Sequence, residues 1–160
     1  MLSLLRRFAL IALVPAALTG AAMIASPAEA APVSEATLQA DINRLTNVQR
    51  KAHGCAALTV NVALTKAARG HSTYMAKSGT FSHTGLGGTS FVARVKTAGY
   101  SKPAAENIAW GYRTGADVVK GWMNSPGHRA NIVNCKNKTV GVGAVYAKSG
   151  APYFTQDFGY

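Results

Sequence analysis

The sequence predicts an α+β domain in which helices pack on a small antiparallel sheet. Three observations carry this. Apolar residues recur at three- and four-residue spacing in several segments between residues 35 and 125. The end of the chain breaks that pattern: "TVGVGAVYA", "KSGA" and "PYFTQDFGY" read as two apolar strands around a glycine turn. Glycine or proline punctuates almost every change of pattern, which marks short connections within one domain.

The elements follow in chain order. Residues 1–30 read as a secretory signal peptide and not as fold: Arg6 and Arg7, an almost wholly apolar run from Phe8 to Ile24, then Ala28-Glu29-Ala30 as a small-residue cleavage site. A retained membrane anchor is the alternative, but the run is short for a span and Pro15 interrupts it. Residues 31–160 are then a single domain with no membrane span after cleavage. Ser34 is placed as an N-cap, with Glu35 in the first turn; Leu38, Ile42, Leu45 and Val48 form one apolar face and Gly54 ends the helix. Asn61 caps a second helix, with Leu64, Ala67, Ala68, His71 and Met75 inward and Gly79 as its stop. "TFSHTGLGG" has no period and reads as a loop. A third helix fits Ser90 to Ala98, with Phe91, Val92 and Val95 inward. "AENIAWG", bounded by Pro103 and Gly111, reads as a buried strand. Thr114 and Asp117 resemble a capping box for a fourth helix carrying Val118, Val119, Trp122 and Met123, which Pro126 ends. In the last segment Gly141 and Gly143 lie on one strand face, where a neighbouring element can approach closely.

Charge and cysteines bound the setting. The formal net charge of +11 becomes +10 after cleavage, and the acids left are Glu35, Asp41, Glu106, Asp117 and Asp157. Such a balance favours anionic surroundings: cell-envelope polymers, anionic lipid or a host surface. The basic residues are scattered without a run, and export makes a nucleic-acid partner unexpected. Two cysteines, Cys55 and Cys135, in an exported chain point to a disulfide, with a thiol nucleophile as the rival. A bridge closing a loop of roughly 80 residues is worth about 4–5 kcal/mol in the chain-entropy model.

Generic catalytic motifs are missing: no G-x-S-x-G, no H-E-x-x-H, no phosphate loop and no zinc-finger spacing. What remains is dispersed. His83 sits in the glycine loop, Glu106 interrupts an apolar strand, and His128 follows Ser125-Pro126-Gly127. A buried lone carboxylate needs a partner, and two imidazoles could serve directly or through a metal. Two histidines and a glutamate with an open position is a set that zinc accepts. The bland alternative is a capping glutamate and two turn histidines. His71, on an apolar stripe, reads as a core histidine, and His53 as a helix C-terminal residue.

The motifs "HSTYMAKSGTFSH", "AENIAWG", "GWMNSPGHRANI" and "GVGAVYA…PYFTQDFG", in that order, resemble the signatures of the CAP superfamily of cysteine-rich secretory, antigen and pathogenesis-related (SCP-like) proteins, in its bacterial exported branch. The resemblance covers about Leu38 to Tyr160. It implies an α-β-α sandwich, with a small antiparallel sheet between helical layers, and an open cavity lined by two histidines and acidic residues. Carried over by motif, the cavity histidines are His83 and His128, which would hold a divalent metal such as zinc, with Glu106 as a further ligand or a base. Many eukaryotic members have a second glutamate three residues after the helix-four tryptophan; here that rim position is Ser125. Members are linked to divalent metals, sterols or lipids, host interaction and occasionally proteolysis. The expectation is therefore a secreted, extracellular, monomeric binding protein, wall-associated or free, whose cavity takes a divalent metal or small ligand. The alternatives are a metal-assisted peptide or ester hydrolase using His83, Glu106 and His128, and a lipid carrier.

Overall fold

Ser34 turns the chain into its first helix by accepting a hydrogen bond from the Thr37 amide through its hydroxyl. The computed structural model describes residues 31–160. The expected signal peptide lies outside the described residues. The helices are α1 (Glu35–Ala52), α2 (Val62–Ser78), α3 (Phe91–Thr97), α4 (Gly115–Asn124) and α5 (Pro126–Ile132). The strands are β1 (Thr59–Val60), β2 (Pro103–Trp110), β3 (Thr139–Tyr146) and β4 (Pro152–Gly159). They form one sheet in the order β1-β3-β4-β2, antiparallel except for the parallel pair of β1 with β3. The sheet is therefore mixed. The two-residue β1 has no period that a sequence could show.

Strand alternation assigns the two faces. Gly141 and Gly143 face α2: a Cβ on Gly141 would lie 2.1 Å from the Thr65 amide nitrogen, and one on Gly143 2.5 Å from the Ala68 carbonyl. The glycines let the α2 backbone sit on the sheet. On the same face Ser72 Oγ donates to Thr155 Oγ1 at 2.9 Å, and α3 packs beside α2. The opposite face carries the main core. Leu38, Ile42, Val118, Trp122 and Ile132 from α1, α4 and α5 pack on Val140, Val142, Phe154 and Phe158. These are the three layers of the expected sandwich.

Two local expectations change. The buried stripe of α1 is Leu38, Ile42, Thr46 and Arg50, whereas Val48 is 52% exposed. Successive steps of four move the stripe away from Val48, and the two polar members are buried because partners meet them. Thr46 Oγ1 accepts from Gln156 Nε2 at 2.8 Å. Arg50 donates to four backbone carbonyls, those of Ala56, Ile132, Asn134 and Asn137, at 2.8–3.0 Å. The second change is at "SPGHRANI". Pro126 does not only end a helix; it begins α5, at the first helical position where a missing N–H costs nothing. His128 thus sits within α5 and not in a turn.

Candidate functional site

β2 is an edge strand, so its residues alternate between the two layers at an open side of the sheet. Glu106 lies on the rung with Asp157, which pairs in turn with Gly141, and so faces α2 and α3. Asn107 lies opposite Gln156 and faces the layer of α1 and α5. One layer delivers His83 to this edge and the other delivers His128.

The His83 loop is pinned at several points. His71 Nε2 on α2 bonds the Ser82 carbonyl at 2.8 Å, and the Ser82 hydroxyl accepts from the Thr84 amide at 3.0 Å. Arg94 on α3 donates through Nη1 to the carbonyls of His83 and Thr89, at 3.0 and 2.8 Å. So placed, His83 Nδ1 donates to Glu106 Oε1 at 2.8 Å, and Arg94 Nη2 donates to Oε2 at 2.6 Å. The Glu106 side chain is 1% exposed, that of His83 55%. Burial by itself pushes the Glu106 carboxyl up; the His83 hydrogen bond, then the charge and hydrogen bond of Arg94, overcome it and hold the group below its ordinary value. Both carboxylate oxygens are engaged, and a half-exposed imidazole is left with its Nε2 free of that contact.

His128 comes close by another route. Its carbonyl accepts from Asn107 Nδ2 at 3.3 Å, and Asn131, one turn on, donates to Asn107 Oδ1 at 2.9 Å. α5 is thereby hydrogen-bonded along β2 beside Glu106. The His128 ring is half-buried and makes no hydrogen bond to the described residues. Burial first, and then the nearby charge of His83, push its pKa down and favour the neutral imidazole. Ser125 joins α4 to α5 three residues before His128, and its hydroxyl caps neither helix. His83 and Glu106 therefore meet directly, while His128 reaches them only through the Asn107 and Asn131 amides. Among the described residues no group of three His, Cys, Asp or Glu side chains is arranged to hold a metal ion.

The disulfide expected between Cys55 and Cys135 is present. It ties the end of α1 to the segment after α5, the same segment that Arg50 grips. His71 is a core histidine, 1% exposed, as its stripe position implied. Sequence reasoning missed Arg94, Asn107 and Asp157. Arg94 had one available signal, since the lone Glu106 demanded a cation and α3 carries Arg94 beside inward-facing Val95. Asn107 had none beyond its place next to Glu106.

Comparison with known proteins agrees with the geometry. Residues 44–158 match the model of the cysteine-rich secretory protein family, CAP. The chain is 40% identical to the Bacillus subtilis protein YkwD over 129 residues, 80% of this chain and 49% of that one. It is 35% identical to the Bacillus subtilis membrane protein YlbC, covering 78% of this chain and 35% of that one. Among solved structures, an extracellular protein containing a SCP domain from Bacillus anthracis superposes with a TM-score of 0.72 at 30% identity, over 81% of this chain and 45% of that one. An outer surface protein from Borrelia burgdorferi shares the fold at a TM-score of 0.72 and 22% identity, covering 80% of this chain and 96% of that one. The chain spans half or less of the length of the Bacillus proteins. With four signature segments in order, a three-layer sandwich and a matching family model, this chain belongs to the cysteine-rich secretory protein (CAP) family.

Proposed function

We propose that this is an extracellular, non-enzymatic binding protein that holds a divalent cation, or a small ligand in its place, between the imidazoles of His83 and His128. The observation that carries this reading is the 2.8 Å bond from His83 Nδ1 to a buried Glu106 locked by Arg94. A carboxylate behind an imidazole sets its tautomer and strengthens the other nitrogen as a ligand. In this reading Glu106 orients His83 and is not itself a ligand, because both its oxygens are engaged. Two imidazoles do not make a closed four-ligand zinc site. They suit an exchangeable ion that completes its coordination with water or ligand. The depressed pKa of His128 supports the role, since only the neutral ring coordinates. The hydrolase reading gains nothing from this geometry: a base must reach the water it activates, and Glu106 is 1% exposed with Arg94 against it. The expected signal peptide and the extracellular Bacillus anthracis relative support export. The net charge of +10 after cleavage would keep the protein near anionic envelope material.

Titration of the purified, metal-free protein with zinc, followed by calorimetry, tests this. Saturable binding is expected, lost in His83→Ala and in His128→Ala, and weakened about 10- to 100-fold in Glu106→Gln. Binding that survives both histidine substitutions, or no saturable binding of zinc, cobalt or nickel, overturns it.

A further inference from the structure

We infer that the end of the sheet around Trp110 is a second binding surface, one for an anionic glycan: a chain of sugar units that carry carboxylate or phosphate groups. Trp110 is the last residue of the edge strand β2 and is 53% exposed. Two open clefts adjoin it, one of about 780 Å³ and one of about 530 Å³. Each is of the size that holds a small ligand. Neither is lined by His83, Glu106 or His128.

The larger cleft forms because α2 stops before the sheet does. Register places Trp110, Tyr153 and Val145 on one rung, on the face that α2 covers further along. Gly79 ends the helix, and the helix end and the β3–β4 turn then wall a cleft over Tyr153. The Tyr153 and Trp110 rings lie 6.1 Å apart, tilted by 36°. Lys77 from α2 and Lys148 from the turn are the only charged side chains that line this cleft. At the helix end the carbonyls of Ala76, Lys77 and Ser78 meet no amide among the described residues.

The residues after Trp110 build the smaller cleft. Gly111 donates to the Pro152 carbonyl at 2.9 Å, and the chain then lays Tyr112 against α4. Gly121 makes the room: a Cβ there would strike the Tyr112 phenol. So held, the ring stays partly exposed beside Arg113 and Lys120. The one acid of this cleft, Asp117, accepts from the Thr114 hydroxyl at 2.6 Å.

This chemistry selects the ligand. Four cations and one carboxylate line the two clefts, and none of the four cations joins a salt bridge among the described residues. That balance draws an anion. Aromatic rings held at a wet surface suit a partner with an apolar face and a polar rim. A sugar ring has both, and its hydroxyls are the donors that the helix-end carbonyls lack. Two clefts meeting at one tryptophan suit a chain better than a single sugar. Single-stranded nucleic acid also stacks on aromatics between cations, but the expected export disfavours it, and the test separates the two.

The chain has two tryptophans, and Trp122 is 2% exposed, so a change in tryptophan fluorescence on binding reports Trp110. Metal-free protein is titrated with dextran, carboxymethyl-dextran and phosphorylated dextran, which share one backbone, and with polyglutamate and oligodeoxythymidylate. A saturable change is expected with one or both charged dextrans, which tells carboxylate from phosphate recognition, and none with dextran or polyglutamate. Lys77→Gln/Lys148→Gln should weaken that binding about tenfold, and Trp110→Ala, followed by calorimetry, about fivefold. Lys51→Gln/Lys136→Gln removes the same charge near the far end of α1 and should change it less than about twofold. All four lysines are exposed, so neither pair threatens the fold. No saturable binding of either charged dextran overturns the inference, as does equal weakening by the two lysine pairs. So does tighter binding of polyglutamate or oligodeoxythymidylate, or a dimer in sedimentation that Trp110→Ala dissolves. Because no metal is present, the result is independent of the zinc titration.

Discussion

Arg50 is the residue whose loss should cost the fold most for its size. It is fully buried, has no carboxylate partner among the described residues, and spends its guanidinium on four backbone carbonyls. Three of these, on Ile132, Asn134 and Asn137, lie more than 80 positions along the chain. The arginine therefore closes the end of α1 onto the end of α5 and the turn into β3. Arg50→Met keeps the length and removes every donor. Each orphaned carbonyl costs about 1–3 kcal/mol. Recovering the desolvation of a buried charge returns several kcal/mol. With four carbonyls near the middle of that range, about 8 kcal/mol in all, less the recovered desolvation, the expected net loss is about 3–5 kcal/mol. Urea denaturation checks it: the midpoint should fall with little change in slope. Because Cys55–Cys135 holds the same two segments, the loss should be larger in a Cys55→Ala/Cys135→Ala background than in the oxidised protein, a non-additivity expected of shared partners. A loss under about 1 kcal/mol in both backgrounds would refute the reasoning, since the carbonyls would then be satisfied without Arg50.

Other outcomes test other parts of the structure. Gly143→Ala should cost at least about 1–3 kcal/mol in thermal denaturation, because the new Cβ meets α2 backbone at 2.5 Å. Gly70→Ala, in α2 with nothing within 4 Å of its Cβ, should instead stabilise by about 0.5–1 kcal/mol. Removing the disulfide, which closes 80 residues, should cost about 4–5 kcal/mol by equilibrium unfolding, less any strain relieved. Stability should peak between two carboxyl titrations. Glu106 has a depressed folded pKa, so its contribution is full above its unfolded value and is lost as pH falls through the folded one. Asp157 has a raised folded pKa, so its contribution is full below its unfolded value and is lost as pH rises towards the folded one. Melting temperature against pH should therefore fall at the acid end in Glu106-containing protein, and the neutral-side loss should vanish in Asp157→Asn; identical profiles in wild type and Asp157→Asn would contradict the raised Asp157 pKa.

Most elements were legible in the sequence for local reasons. Ser34, Asn61, Ser90 and Thr114 each cap the helix that follows them, because a side-chain oxygen and the free amides beside it are neighbours in the chain. Thr114 even engages Asp117 as the capping pattern suggested, although the shorter Asp reaches its hydroxyl at 2.6 Å. The spacing of Gly141 and Gly143 foretold a close approach and left open which element would make it. β1 and α5 were not legible: one is two residues long, and the other begins at a proline that looks like an end.

The site divides along the same line. Composition and motif order singled out His83, Glu106 and His128, since a lone carboxylate in an apolar strand and histidines beside glycine and proline are local anomalies. Which of them touch, and what else joins them, was settled only by strand register and layer packing. Register put Asp157 opposite Glu106 from 51 positions away, and packing of α3 brought Arg94 to the carboxylate's other oxygen. The chain alone determines helix caps, periodicity and the presence of unusual polar residues, because those depend on neighbours a few residues apart. The partners of a buried charge depend on groups brought from distant segments into a space without water, and only the folded chain decides them.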